Sequence, residues 1–226
     1  MPRWNTQRVS FKLVSGHVLL DLDGITTLLD TGSPVSFGTV PEVTILGTKH
    51  RLRRSIGGDA HFSDILVGLK RFAGVPSAFD FQVLLGRDLL AGKRLKLDWQ
   101  SRVMTITEPS TPGTVRAGAP LRRGDLMVGG KRVRAILDTG AWRSYLHPDV
   151  AVGLERVGRG QDYNPVLGGI TTDLVWARVR FRGWSGAVTM GIITHEHIAA
   201  FGERDAQAIV GNDILAKAGP LRMDVE

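Results

Sequence analysis

Apolar and polar residues alternate along much of the chain, which is the pattern of β-strands with one buried face. The segments 8–14 and 95–99 show this alternation clearly. Asp23-Gly24 and Gly129-Gly130 each follow such a segment and are typical of tight hairpin turns. The pattern therefore predicts an all-β fold in which helices are short and few.

Two segments break the simple alternation and need an interpretation. The segment 62–69 follows a glycine-containing turn at 56–59, and we interpret it as the returning strand of a hairpin. The segment 87–92 ends on Gly92, and it is predicted to be a short helix.

Landmarks of the first half recur in the same order in the second half, which indicates an internal duplication. Each half has an apolar segment ending in Asp-Thr-Gly, then a glycine hairpin, then an apolar segment leading to a short helix. The matching pairs are 28–33 with 136–141, 55–59 with 166–170, and 84–90 with 208–215. We predict an N-terminal lobe at 1–108, a Pro- and Gly-rich linker at 109–120 and a C-terminal lobe at 121–226.

The repeated Asp-Thr-Gly tripeptide is the strongest chemical signal in the chain. One such tripeptide is common by chance, but two copies in matching contexts are harder to dismiss. Two lobes related by a pseudo-two-fold axis can bring Asp30 and Asp138 together at that axis. Two close carboxylates share one proton, because both cannot ionise cheaply. The charged carboxylate can then activate water, and the protonated one can donate to a peptide carbonyl.

With these motifs, the two halves resemble two fused copies of a retropepsin, the retroviral-type aspartic protease subunit. Each half has Asp-Thr-Gly followed by Ser or Ala, a glycine hairpin similar to a flap, and an apolar-apolar-Gly loop before a short helix. The resemblance implies two retropepsin-like β-barrel lobes with the active site between them. It also implies an aspartic endopeptidase that needs no metal or cofactor.

The resemblance implies roles for individual residues. Asp30 and Asp138 correspond to the catalytic pair, and the threonines that follow them are expected to bond across the lobe junction. The residues expected to support the active-site loops are Thr31, Gly32, Ser33, Thr139, Gly140 and Ala141. The residues expected at the flaps are Ile56, Gly57, Gly58, Leu167, Gly168 and Gly169.

The sequence departs from the family pattern at several of its positions. Pro34 and Trp142 stand where the family has an Asp, and Asn212 stands where the first half has Arg87. These changes put the family's ion pair in question, above all in the second lobe. Ser33 has a hydroxyl that Ala141 lacks, and we expect this hydroxyl to donate toward the first carboxylate and to lower its pKa.

Charge and composition bear on nucleic-acid binding and on cysteine chemistry. The chain has 226 residues, a net charge of +7 and a pI of about 10.2, which raises the question of nucleic-acid binding. The basic residues are spread along the whole chain, so an evenly charged surface is the favoured interpretation and no nucleic-acid partner is expected. Cysteine is absent, which excludes disulfides, a thiolate nucleophile and Cys-based metal sites.

Three weaker signals are assigned to the surface or left without a role. His195-Glu196-His197 lacks the spacing of a helical ligand pair and a third ligand, so no metal site is predicted. Arg178, Arg180 and Arg182 share one strand face, where solvation is favoured over binding of an acidic substrate. The N-terminus lacks an apolar signal core, and no apolar run reaches the ~18 residues of a membrane span, which slightly favours the cytoplasm.

The expected partner is a polypeptide substrate that lies extended in the cleft between the lobes. Because both aspartates come from one chain, activity is expected from a monomer. The alternative function is a non-catalytic peptide-binding module that retains the aspartic protease fold.

Overall fold

A computed structural model describes residues 5–57, 60–73, 75–108, 123–164, 168–199 and 205–225. The predicted linker at 109–120 lies outside these residues. In the first half the strands are β1 (Asn5–Val14), β2 (His17–Leu22), β3 (Ile25–Leu29), β4 (Phe37–Gly38), β5 (Glu42–Ile45), β6 (Thr48–Arg51), β7 (Ser55–Gly57), β8 (Ala60–His61), β9 (Val83–Leu85), β10 (Arg94–Asp98) and β11 (Val103–Glu108). In the second half they are β12 (Arg123–Val128), β13 (Lys131–Leu137), β14 (Tyr145–Leu146), β15 (Glu155–Asn164), β16 (Gly168–Phe181), β17 (Trp184–Ile192), β18 (Ala208–Val210) and β19 (Leu221–Asp224). The helices are α1 (Phe62–Phe72), α2 (Arg87–Leu90), α3 (Pro148–Ala151), α4 (His195–Ala199) and α5 (Asn212–Leu215).

The first sheet has eight strands in the order β19-β10-β11-β1-β2-β3-β9-β4. Most neighbours are antiparallel, but β3 and β9 run parallel, with Leu29 opposite Leu85. The last strand of the chain, β19, pairs with β10 of the first half, with Arg94 opposite Asp224. The C-terminus of the described chain therefore belongs to the sheet that the first half builds.

The second sheet has seven strands in the order β12-β13-β18-β14-β17-β16-β15. Pairing of β12 with β16 closes six of these strands into a barrel, and β15 adds to the outside edge of β16. Here β13 and β18 run parallel, as β3 and β9 do in the first sheet. The mostly β architecture agrees with the predicted all-β class.

The alternating sequence pattern produces alternating burial in the strands. In β16, Val179 and Phe181 are buried, whereas Arg178 and Arg180 point to solvent. The largest apolar cluster contains buried residues of both halves of the chain. Burying one such side chain stabilises the fold by about 1.5–3 kcal/mol, so the strands are fixed mainly by this core.

The expectation of a returning strand at 62–69 is wrong, because this segment is the helix α1. Phe62, Ile65 and Leu69 lie one helical turn or two apart and are all buried, which a strand would not achieve. The helix begins with a capping interaction, in which the His61 amide donates to the Asp64 carboxylate at 3.0 Å. The apolar residues of this segment repeat with the helical period of 3.6 residues, and this signal in the sequence was overlooked in favour of a hairpin interpretation.

The predicted short helix at 87–92 is found as α2, which ends at Leu90. Within the described residues, no helix has both the length and the apolar character that a membrane crossing requires.

Candidate active site

The two Asp-Thr-Gly loops begin at the ends of equivalent buried strands. Asp30 follows β3, and its amide donates to the Leu85 carbonyl of β9 at 3.0 Å. Asp138 follows β13, and its amide donates to the Val210 carbonyl of β18 at the same distance. Each aspartate is therefore held by a neighbouring parallel strand, which fixes the backbone from which its carboxylate projects.

The threonines tie the two loops together by reciprocal hydrogen bonds. The Thr31 amide donates to Thr139 Oγ1 at 3.1 Å, and the Thr139 amide donates to Thr31 Oγ1 at 3.0 Å. Each hydroxyl also donates to a carbonyl of the opposite strand, Thr31 to Leu137 and Thr139 to Leu29, both at 3.2 Å. Both threonines are buried, so these bonds are shielded from water and hold the loops in one fixed arrangement.

The glycines allow the two loops to approach each other closely. A Cβ placed on Gly140 would lie 2.4 Å from Asp30 Cγ, and one placed on Gly32 would lie 2.6 Å from Asp138 Cγ. Any other residue at either position would therefore push the opposite carboxylate away. The glycine of each loop makes room for the aspartate of the other.

Hydrogen bonds to the two carboxylates are unequal. Asp138 Oδ1 accepts from the Gly32 amide at 3.1 Å and from the Gly140 amide at 2.8 Å. Asp30 Oδ1 accepts from the Ser33 amide at 2.8 Å. Amide donors stabilise the charged form of a carboxyl, so this asymmetry favours Asp138 as the ionised member.

Burial raises the pKa of both aspartates. Desolvation, followed by the nearby charge of Asp138, raises the pKa of Asp30 from 3.8 to about 8. Desolvation also raises the pKa of Asp138, but the amides of Gly140 and Gly32 oppose this rise. Burial and mutual repulsion therefore favour retention of one proton by the pair, and the amide donors around Asp138 favour Asp30 as its carrier.

The expectation for the Ser33 hydroxyl is wrong. Ser33 Oγ donates to the Val35 carbonyl at 2.8 Å, and it is the Ser33 amide that bonds to Asp30. The hydroxyl stabilises the turn after the tripeptide instead of the charged carboxylate.

Two serines that the sequence analysis missed connect the segment after each Asp-Thr-Gly to the start of the short helix in the same half, α2 or α5. Ser36 Oγ donates to Asp88 Oδ1 at 2.6 Å, and it accepts from the Gly86 amide at 2.8 Å. Ser144 forms the same two bonds, to Asp213 and Gly211, at 2.6 and 2.9 Å. The signal was available, since Asp-Thr-Gly is followed at the same spacing by Ser in both halves.

Asn212, noted as a departure in the sequence, has a defined structural task. Its Nδ2 donates to the Thr139 carbonyl at 2.7 Å and to the Gly16 carbonyl at 2.8 Å. Asn212 therefore connects the second active-site loop to the turn between β1 and β2.

A cavity of about 130 Å³ lies directly over the two carboxylates. The predicted residues that line it are Asp30, Gly32, Ser33, Asp138, Gly140 and Ala141. Further lining residues that the sequence analysis did not predict include His17, Tyr145, Asp162, Tyr163, Asn164 and Ile170. A void of roughly 150 Å³ accommodates a benzene-sized group, so this cavity holds about one side chain.

The predicted flap residues that the structure describes lie in strands of two hairpins. Ile56 and Gly57 belong to β7, and Gly168 and Gly169 begin β16. Gly58 and Leu167 lie outside the described residues. The described residues that this second hairpin, β15 and β16, contributes to the cavity are Asp162, Tyr163, Asn164 and Ile170, which flank the predicted glycines.

Helix α1 of the first half packs against the hairpin of the second half. The rings of Phe72 and Tyr163 are stacked, with centroids 6.3 Å apart and planes 7° from parallel. Gly68 makes this approach possible, because a Cβ there would lie 2.1 Å from the Tyr163 ring. The helix therefore holds the β15–β16 hairpin over the cavity.

A third buried aspartate, Asp162, lines the same cavity as Asp30 and Asp138. The Tyr145 hydroxyl donates to Asp162, and the Tyr163 amide donates to the same carboxyl at 2.7 Å. Burial raises the pKa of Asp162. The Tyr145 bond connects the end of β15 nearest the hairpin connection to β14.

Among the residues that the structure describes, no group of three or more His, Asp or Glu side chains is placed to hold a metal ion. His197 lies 2.6 Å, Nδ1 to Oγ1, from Thr194 at the start of α4.

No protein-family model and no curated protein matches the chain. Among solved structures, the solution structure of the simian foamy virus (mac) protease is similar over 42% of this chain and 91% of that chain. The sequence identity is 8% and the TM-score is 0.31, a level that identifies no activity.

Proposed function

We propose that the chain is an aspartic endopeptidase of retropepsin type, in which each half of the chain supplies one catalytic aspartate. The observation that carries this proposal is the reciprocal geometry of the two Asp-Thr-Gly loops. Each glycine leaves room for the opposite carboxylate, and each threonine bonds to the opposite loop. Such a pair of carboxyls, sharing one proton, is the machinery that water-mediated peptide hydrolysis needs.

The unequal surroundings of the two carboxyls assign their roles in the reaction. Asp138 is the ionised base, which takes a proton from water as the water oxygen attacks the peptide carbonyl carbon. Asp30 gives its proton to the carbonyl oxygen, which produces a tetrahedral diol. The diol then collapses and the C–N bond breaks. The proton held by Asp138 passes to the leaving nitrogen, and one hydroxyl proton of the diol returns to Asp30 as the new carboxyl group forms. The pair finishes with one proton, as it began.

Substrate binding requires movement of the β15–β16 hairpin. The cavity of about 130 Å³ holds one side chain, whereas an extended peptide needs a groove several residues long. We propose that the hairpin lifts from α1, admits the peptide as an added strand between the two halves, and closes over it. A single chain suffices for this site, so the active species is a monomer.

The test is cleavage of a diverse peptide library across pH, with and without pepstatin. Pepstatin-sensitive cleavage by the wild type is expected, and Asp30→Asn and Asp138→Asn are each expected to lose it. Circular dichroism of both variants checks that the fold is retained. A variant that retains substantial turnover would contradict the assignment of the pair.

The alternative is a non-catalytic module that binds extended peptides. It would bind peptides or pepstatin with measurable affinity and cleave none of them at any pH. The raised pKa of Asp30 favours the enzyme over the binding module. Burying two neighbouring carboxyls lowers the stability of the fold, and the proton that Asp30 retains is one that the reaction has to transfer.

A further inference from the structure

The outer face of the second-half barrel has an open groove that the proposed peptidase does not use. The groove follows β16 where β12 and β17 flank it. Its lining includes Trp176, Arg178 and Arg180 of β16, and Ser185 and Ala187 of β17. The volume of the groove is about 650 Å³. A void of roughly 150 Å³ accommodates a benzene-sized group, so the groove has room for about four side chains.

Arg178 and Arg180 have no carboxylate partner in the part of the chain that the structure describes. Arg178 lies opposite Ala187 of β17. Arg180 lies opposite Ser185 of β17 and Met127 of β12. Opposite charges stabilise cross-strand neighbours of this kind, yet none of these three neighbours is charged. Both arginine side chains are exposed, so a ligand can reach them from solvent.

Other arginines on strands of the same half are paired with carboxylates. Arg132 bonds to Asp125, and Arg156 bonds to Asp173 at 2.5 Å. Glu155 lies in register with the tryptophan of the groove, and within the described chain it forms no ion pair with either groove arginine. The groove therefore carries two positive charges that the fold itself leaves unpaired, which distinguishes it from a surface of paired charges.

Trp176 adds an exposed aromatic surface to the groove. Its side chain is 39% exposed, although tryptophan is highly buried on average. The guanidinium of Arg178 lies over the ring, 5.7 Å from its centroid, which is a cation–π contact. Tryptophan and arginine are enriched among the residues that contribute most to the affinity of protein–protein interfaces. The groove thus combines an apolar surface with two unpaired cations of the type that holds polypeptides.

We propose that this groove is a second binding site, which holds an extended acidic segment of a partner polypeptide. Alternate residues of a strand lie about 6.7 Å apart, and this is the spacing of Arg178 and Arg180 along β16. An extended peptide has the same spacing between its own alternate side chains. Two acidic residues separated by one position therefore match the two guanidinium groups, each of which can hold a carboxylate through two parallel N–H···O bonds. An apolar side chain beside the acidic pair packs on Trp176.

The charge of the groove fits such a peptide better than a nucleic acid. Proteins that depend on phosphate contacts for affinity commonly make about 6–10 of them. The groove offers two unpaired guanidinium groups, which two carboxylates are enough to neutralise. A single-stranded oligonucleotide is therefore the competing ligand in the test.

The test measures binding of a short fluorescein-labelled peptide by fluorescence anisotropy at about 0.02 M and about 0.3 M NaCl. The peptide alternates Glu with Ser and ends in Leu, and a matched peptide has Gln in place of every Glu. All proteins carry Asp30→Asn, which prevents cleavage of the probe by the proposed peptidase. The Glu peptide is expected to bind about 10-fold more tightly than the Gln peptide at the lower salt, and to lose affinity at the higher salt.

Variants locate the binding in the groove. Arg178→Gln and Arg180→Gln should each weaken binding of the Glu peptide by about 3-fold, and the double variant by about 10-fold, as for exposed ion pairs. Arg8→Gln is the control, because it removes the same charge from an exposed residue of β1 in the other sheet, and it should leave the affinity unchanged. Circular dichroism checks that each variant keeps the fold.

Three results would overturn the inference. The first is equal affinity for the Glu and Gln peptides, or no binding of either, which would mean that the arginines are merely solvated. The second is equal weakening by Arg178→Gln and Arg8→Gln, which would show attraction by net charge alone. The third is a labelled single-stranded DNA that binds more tightly than the Glu peptide and weakens in the same groove variants. None of these results bears on the peptidase, which is tested by cleavage.

Discussion

Replacing Asp30 by Asn is expected to stabilise the protein, and to do so more strongly as the pH rises. Asn is close in size to a protonated Asp and remains neutral at every pH. In the wild type, Asp30 is buried beside Asp138, and its carboxyl keeps its proton in the folded state until the pH reaches about 8. In the unfolded chain the same carboxyl ionises near its ordinary pKa of 3.8.

The sign of the effect follows from these two pKa values. Between pH 4 and 8 the unfolded wild type releases a proton that the folded wild type retains, so a rise in pH favours unfolding. Each pH unit in this window lowers the free energy of unfolding of the wild type by about 1.4 kcal/mol. The wild type therefore loses roughly 4 kcal/mol of stability between pH 4 and 7 from this group, and above pH 8 the loss stops growing.

The assay is urea unfolding followed by tryptophan fluorescence at pH 4, 5, 6, 7 and 8. We expect Asp30→Asn and the wild type to have similar free energies of unfolding near pH 4, and the variant to gain steadily as the pH rises. Asp23→Asn is the control, because Asp23 is an exposed turn residue with φ 54°, a backbone conformation that Asn also accepts.

A difference between Asp30→Asn and the wild type that stays constant from pH 4 to 8 would refute the reasoning. It would mean that Asp30 ionises equally easily in the folded and unfolded chain, and that burial next to Asp138 does not hold its proton.

Four further predictions address the loops, the proton, the hairpin and the active species. Gly140→Ala should lower kcat by about 100-fold or more, because its Cβ would displace the Asp30 carboxyl; near wild-type turnover would contradict the close approach of the loops. The alkaline limb of the pH dependence of kcat/KM should lie near pH 8 and stay there in Ser33→Ala, since that hydroxyl bonds to Val35. An upward shift of this limb in the variant would indicate that the Ser33 hydroxyl bonds to the Asp30 carboxylate after all. Phe72→Ala should remove the stacking partner of Tyr163 and speed pepstatin association in stopped-flow measurements, with Phe72→Tyr as the control that keeps the stacked ring; equal association rates would show that α1 does not hold the hairpin. Specific activity should be unchanged by dilution, because one chain supplies both aspartates; a loss that follows mass action would indicate an obligate dimer.

Several features of the fold follow from the sequence because they depend on neighbouring residues. Alternating side chains decide which face of a strand is buried, and this is enough to predict β1, β10 and the mostly β class. The apolar residues before Asp30 and Asp138 place both aspartates at strand ends. The same local logic, applied with the wrong period, produced the error at α1, which was interpreted as a strand.

Other features depend on residues that are far apart in the chain and meet only through packing. The Thr31 and Thr139 bonds join positions 108 residues apart, and no local pattern specifies their geometry. The direction of the Ser33 hydroxyl is set by the turn at Val35, and the burial of His17 by Phe79 and the second loop. The unequal protonation of the two aspartates likewise follows from amides that the fold directs mainly toward Asp138. Sequence determined which groups are present, and packing decided which of them meet, because burial and long-range hydrogen bonds set the pKa of a carboxyl and the partners of a side chain.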